Sequence, residues 1–261
     1  MQLQDAVVVV TGAGSGIGAA LARRAAAEGA AAVVVSDRDG TAAERVAAEV
    51  GGTADTTDVT DEAAVAALVE RTLAAHGRVD LFCCNAGVFS GEGLEAPTAV
   101  WEQVFAVNVL AHVYAARAVL PSMLERGSGH LLTVASAAGL LTTPGDAPYS
   151  VTKHGAVALA EWLAVTYGDR GIGVSVVCPL GVATPLLMDP LEQGRSAAAV
   201  VAASGRVITP EDVAQAVVEG LAEDRFLILP HPEVATYWAQ KAADPERWLA
   251  GVRRLVRSTT A

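Results

Sequence analysis

Residues 7–18 read Val7-Val8-Val9-Val10-Thr11-Gly12-Ala13-Gly14-Ser15-Gly16-Ile17-Gly18, a β-branched run leading into a turn rich in glycine. Such a run predicts a buried strand, and the Ala-rich segment after it predicts a helix. Glycines at this kind of turn let the backbone approach a pyrophosphate, whose charge is met by exposed N–H groups at the helix N-terminus. Alone the turn is a weak signal, because tight turns use glycine for steric reasons. Its setting strengthens it: a strand precedes, a helix follows, and Asp37 closes the next apolar run about twenty residues on. A carboxylate there accepts hydrogen bonds from an adenosine ribose and repels a 2′-phosphate, which favours NAD over NADP. Arg38 complicates that preference, since an arginine beside the acid can bind a phosphate, stack on adenine or simply face water.

Outward from this turn, short β-branched runs alternate with longer Ala-rich segments, the pattern of stacked βαβ units and a parallel sheet. Strands are expected at 7–10, 32–36, 53–55 (the weakest), 81–84, 130–134, 174–177 and 226–229. Helices are expected at 17–28, 41–50, 62–76, 98–120, 149–168 and 211–221. The stretch 185–208, with Pro185, Pro190, Gly194 and Gly205, breaks the alternation and is read as a substrate-binding loop or lid. Residues 230–261 form a C-terminal tail carrying Tyr237, Trp238 and Trp248 with basic Arg253, Arg254 and Arg257.

The 261 residues fit one large α/β domain, and no linker divides them. Hydrophobic residues make up 52% of the chain, enough for a sizeable core. A net charge of −11 argues against nucleic acid or an anionic membrane surface as partner. Cys83, Cys84 and Cys178 sit in apolar runs and read as buried free thiols, which suits a reducing cytoplasm. The residues from Met1 to Asp5 lack the basic and apolar regions of a signal peptide, and the apolar runs are strand-sized. The expectation is a cytoplasmic protein.

Further motifs follow in order: Cys84-Asn85-Ala86-Gly87 after the fourth strand, Asn108 in an apolar helix, Ser136 closing the fifth strand, and Tyr149-x-x-x-Lys153. With the Thr-Gly-x-x-x-Gly-Ile-Gly turn, this ordered set resembles the short-chain dehydrogenase/reductase superfamily over residues of about 5 to 230. The resemblance implies a Rossmann-type, doubly wound parallel sheet of about seven strands with helices on both faces, in a single domain. It also implies a nicotinamide-dependent enzyme acting on alcohols or ketones.

The chemistry also follows from the residues. Tyr149 and Lys153 stand four apart on one helix and share a face. Oxidising an alcohol needs a base for the hydroxyl proton, and a free tyrosine with a pKa of about 10 is too weakly ionised near neutrality. A nearby ammonium favours the phenolate, and the reverse reaction uses the same group as an acid. A Tyr/Lys pair alone is usually a surface pair. Ser136, at the end of a strand where an open parallel sheet binds its ligand, can hold the substrate oxygen beside Tyr149. Asn108 is a costly amide in an apolar helix. The resemblance implies that it holds a water linking Lys153 to solvent; a helix irregularity satisfied locally by the amide is compatible with that role.

The resemblance also assigns a cofactor set. Gly12, Ser15, Gly16, Ile17 and Gly18 would meet the pyrophosphate, and Asp37, Arg38, Asp58 and Val59 the adenosine. Asn85, Ala86 and Gly87 would pack against the cofactor. Tyr149, Lys153, Pro179, Gly181, Val182 and Thr184 would meet the nicotinamide half. Leu180 stands where the family usually has glycine, which turns attention to the substrate pocket, and Cys84 replaces a commoner asparagine. The pocket is expected to use Phe89, Ala138, Leu140, Leu141, Leu180, Leu186, Leu187 and Met188, with no arginine placed to clamp an acid. A small hydrophobic alcohol or ketone is therefore the expected substrate. Neither His112 nor His154 has metal-site spacing, and no Gly-x-Ser-x-Gly elbow supports a hydrolase. Similar proteins form dimers or tetramers through helices like 98–120 and 149–168. The rivals are an NADPH-dependent biosynthetic ketoreductase and a silent dinucleotide sensor.

Overall fold

Val-rich runs that are apolar on both faces can be satisfied only between two helical layers. The computed structural model describes residues 1–260 and builds them that way. Its strands are β1 (Val7–Thr11), β2 (Ala32–Asp37), β3 (Thr53–Thr56), β4 (Leu81–Cys84), β5 (Gly129–Val134), β6 (Ile172–Val177) and β7 (Leu227–Ile228). All pair in parallel, in the order β3-β2-β1-β4-β5-β6-β7. The order reverses between β1 and β4, which opens a crevice at their C-terminal ends. This is the doubly wound Rossmann-type sheet of seven strands.

The helices are α1 (Gly16–Ala27), α2 (Gly40–Val50), α3 (Glu62–His76), α4 (Thr98–Phe105), α5 (Ala111–Arg126) and α6 (Ala147–Tyr167). After them come α7 (Pro185–Glu192), α8 (Ser196–Ala203), α9 (Pro210–Ala222), α10 (Glu233–Ala243) and α11 (Pro245–Thr260). Strand side chains alternate between faces. Val8 and Val10 pack with α1, α2 and α9, while Val9 and Phe82 pack with α3, α5 and α6. Burying each such side chain contributes about 1.5–3 kcal/mol.

Three elements differ from the sequence reading. The helix expected at 98–120 is split by a π turn, Ala106–Leu110, and then continues through Pro121 to Arg126. That 98–126 run is long and apolar enough to cross a membrane, yet 56% of its most apolar window is buried in the fold. The supposed loop at 185–208 contains α7 and α8, because Pro185 starts a helix and Pro190 lies inside it. The tail forms α10 and α11, and α11 packs against α8.

Candidate active site

One continuous cavity of about 980 Å³ follows the C-terminal ends of the strands. Its cofactor end starts at the glycine turn. Gly12 has φ +62°, and a Cβ there would lie 2.8 Å from the Ala86 Cα, so only glycine lets the two turns touch. Gly18 is a packing glycine: its Cβ would fall 2.4 Å from Asn85 Nδ2 and from the Gly12 carbonyl. Asn85 straps the turns together, its Nδ2 donating to the carbonyls of Thr11 (2.8 Å) and Gly12 (3.0 Å).

The residues here suit a dinucleotide. Ser15 makes no side-chain capping bond, so the first-turn N–H groups of α1 are left free for an anion. Gly12, Ser15, Gly16 and Ile17 line the cavity, as do Asp37, Arg38, Asp58, Val59, Asn85, Ala86 and Gly87. Asp37 Oδ2 accepts from Gly14 N at 2.9 Å, and Oδ1 accepts from Asp39 N at 3.1 Å, which fixes the carboxylate at the end of β2. Hydrogen bonds from Thr60 hold the Asp58 carboxyl below its usual range, with a smaller contribution from Arg38.

At the other end, Ser136 follows β5 and accepts from Ala138 N at 3.1 Å. Tyr149 and Lys153 project from α6 into the same cavity. Lys153 Nζ donates to the Val134 carbonyl at 3.0 Å and lies 5.6 Å from the centre of the Tyr149 ring. Phe89 packs edge-on to Tyr149 at 5.3 Å between centroids. Burial pushes the phenol up to about 12, with the Ser136 hydroxyl pulling the other way. Burial pulls the Lys153 ammonium down to about 8. Desolvation is the largest influence on the phenol, and it opposes ionisation. Near neutrality the pair holds a neutral phenol beside a cation.

Asn108 sits in the π turn, the irregularity considered from the sequence. Its amide is not satisfied locally. Oδ1 accepts from Val88 N (2.9 Å), and Nδ2 donates to the Val88 carbonyl (3.0 Å) and Thr152 Oγ1 (3.1 Å). The side chain is fully buried and ties the loop after β4 to α6, with no face on the cavity. His112, one turn on, is buried with neither ring nitrogen hydrogen-bonded among the described residues.

Pro179, Leu180, Val182, Thr184, Phe89, Ala138, Leu141, Leu186 and Leu187 all line the wall, as the sequence reading requires. Gly181, Leu140 and Met188 do not. Leu140 is buried in the core, and Met188 is half-buried on α7. Sequence reasoning missed Asp146, a fully buried carboxylate that N-caps α6. It accepts from Tyr149 N (2.9 Å), Ser90 N (2.8 Å), Ser90 Oγ (2.6 Å) and Gly91 N (2.6 Å). An acid three residues before Tyr149 was the available signal, a common N-cap spacing. The sequence leaves the aromatic tail free to cap the pocket, join a neighbour or cover the core. α10 and α11 bring Tyr237 and Trp248 to the cavity wall, together with Arg247 and Arg254, which the sequence did not assign to the pocket. Arginines thus stand at the pocket after all.

The short chain dehydrogenase family profile matches residues 6–194. The 1-deoxy-11-beta-hydroxypentalenate dehydrogenase of Streptomyces exfoliatus is 40% identical over 242 residues, covering 89% of this chain and 86% of its own length. The cis-4-hydroxycyclohexanecarboxylate dehydrogenase of Sinomonas cyclohexanicum is 36% identical, over 82% of this chain and 88% of that one. A crystal structure of a short chain dehydrogenase/reductase from Burkholderia phymatum in complex with NAD superposes with TM-score 0.85 at 33% identity, covering 94% and 96% of the two chains. With the doubly wound sheet and its cleft, these matches show that the chain belongs to the short chain dehydrogenase family and is a nicotinamide-dependent oxidoreductase of alcohols and ketones.

Proposed function

We propose that this enzyme interconverts a hydrophobic secondary alcohol and its ketone with NAD, using Tyr149 as the proton-transferring group. The observation that carries this reading is one cavity with Asp37 at one end and Ser136, Tyr149 and Lys153 among apolar side chains at the other. Bound NAD would supply the hydride acceptor, and its positive ring would favour ionisation nearby. Ser136 holds the substrate oxygen. Tyr149 takes the hydroxyl proton in oxidation and returns it to the carbonyl oxygen in reduction. Lys153 keeps a positive charge beside the phenol up to a pH of about 8. Asp146 and Asn108 hold the loop and helix that carry these groups.

The Asp37 carboxylate supports NAD, as does the NAD found in the Burkholderia phymatum protein. The names of the two relatives above refer to hydroxylated alicyclic acids, which supports a cyclic secondary alcohol. Exposed Arg38 on the cleft wall favours a second reading, an NADPH-dependent ketoreductase. Initial rates with NAD and NADP over a panel of alicyclic alcohols separate the two. NAD-only turnover, lost by about 10²–10⁴-fold in Tyr149→Phe, is the expected result. Unchanged turnover in Tyr149→Phe overturns the mechanism, and a preference for NADP overturns the cofactor assignment. A cytoplasmic location and a dimer or tetramer complete the proposal.

A further inference from the structure

The substrate end of the cavity is roofed by α10 and α11. Lys241 on α10 donates to the carbonyls of Leu140 (2.7 Å) and Leu141 (3.0 Å), in the segment that follows Ser136. Tyr237 and Trp248 pack at 6.0 Å, and α11 rests on α8. The roof is therefore fastened both to the loop beside Ser136 and to the helices after Thr184.

The charge of this roof is opposite to that of the protein. The chain carries −11, yet α11 has four arginines against one glutamate. Arg247 and Arg254 stand seven residues apart, so they lie on one stripe about two turns apart. That stripe is the one facing the cavity, where both arginines join Trp248, Val252 and Leu255 in its lining. Neither guanidinium has an ion pair or hydrogen bond among the described residues. Of the two acids near Arg247, Glu246 is off the cavity lining, and Asp244, which is on it, caps α11 by accepting from Arg247 N at 2.9 Å. The other charged residues of the cavity are Lys153 and, at the adenosine end, Asp37, Arg38 and Asp58.

Two unengaged, planar donors over an apolar chamber make a receptor for a carboxylate, which accepts paired N–H groups from arginine. We propose that Arg247 and Arg254 form an anion subsite, and that the substrate is an apolar hydroxy or oxo compound carrying a carboxylate away from the reacting carbon. This rests on the oxidoreductase reading above and narrows its substrate class. The carboxylate would be held at the roof while the carbinol end reaches Ser136 and Tyr149.

The test uses two inert ligands of one shape, adamantane-1-carboxylate and adamantane-1-carboxamide. Calorimetry measures their binding to the NAD-loaded enzyme and to R247Q/R254Q at low ionic strength. The acid is expected to bind at least about tenfold tighter than the amide, with that preference abolished in the variant. Amide binding and NAD affinity should be the same in both proteins. Equal binding of acid and amide to the natural enzyme overturns the proposal, as does binding of neither. A preference that survives in the variant also overturns it. A variant that loses NAD affinity instead assigns the arginines to the dinucleotide. Turnover of neutral alicyclic alcohols with NAD is scored separately, so the oxidoreductase reading can stand when the anion subsite falls.

Discussion

The Asp146 carboxylate is completely buried, and no arginine or lysine pairs with it among the described residues. Its four donors come from Ser90, Gly91 and the first turn of α6. One side chain therefore fixes both the helix start that presents Tyr149 and the loop that presents Phe89. Asp146→Ala strands those buried donors, and a loss of about 3 kcal/mol is expected in urea denaturation. The turnover rate should fall while NAD affinity holds, because the cofactor end of the cleft is built elsewhere. A variant as stable as the parent protein would remove Asp146 from this role. The side chains proposed for catalysis stand out in the sequence because their order and spacing are distinctive, and the fold brings Ser136, Tyr149 and Lys153 to one cavity. Asp146 was not legible, because an acid in a loop is ordinary until the fold shows it dry. Nor was the upward shift of Tyr149, since the sequence does not reveal the depth of its burial.

Among the elements, the parallel strands were the most legible, since a run buried on both faces needs little tertiary context. β1 extends one residue past its expected end, and β7 shrinks to two residues at the edge of the sheet. The segments around the pocket were the least legible. Pro185 and Pro190 look like loop residues, but the first occupies a helix start where its missing N–H is harmless. The tail's helices take their meaning from what they cover, which no local pattern contains. Lys241 is the contact that attaches them to the loop after Ser136. Replacing it with methionine keeps the stem and removes the donor. Lys241→Met is expected to raise the KM for the alcohol several-fold and leave the KM for NAD unchanged; equal changes in both would dismiss the attachment.

At the scale of the molecule, acid sensitivity follows from two buried histidines. Burial lowers His112 to about 3 and His130 to about 4. The unfolded chain binds protons at both sites near pH 6.5, before the folded chain does, so stability falls as pH drops below 6.5. Between pH 6.5 and 4.5 the loss should be roughly 2–3 kcal/mol for each histidine, read from urea midpoints. In His112→Leu about half of that slope should vanish; an unchanged slope would assign the acid sensitivity elsewhere. Assembly is a second global property. Val151, Trp162 and Val165 are exposed on one stripe of α6, and Phe105 is exposed at the end of α4. These are the helices expected to meet a second copy. Sedimentation should show an oligomer that Val165→Asp disperses, and a monomeric parent protein would end that expectation.

The roof also bears on how such an enzyme can change its trade. The residues proposed for the dinucleotide end at Thr184, whereas α7 to α11 follow it, and the family match stops at residue 194. Acceptor preference can therefore be tuned through α7, α8, α10 and α11, while α9 and β7 between them must be kept because they complete the core against α1 and β6. A replaced roof also needs a cation where Lys241 stands, since that contact holds it to the backbone beside Ser136.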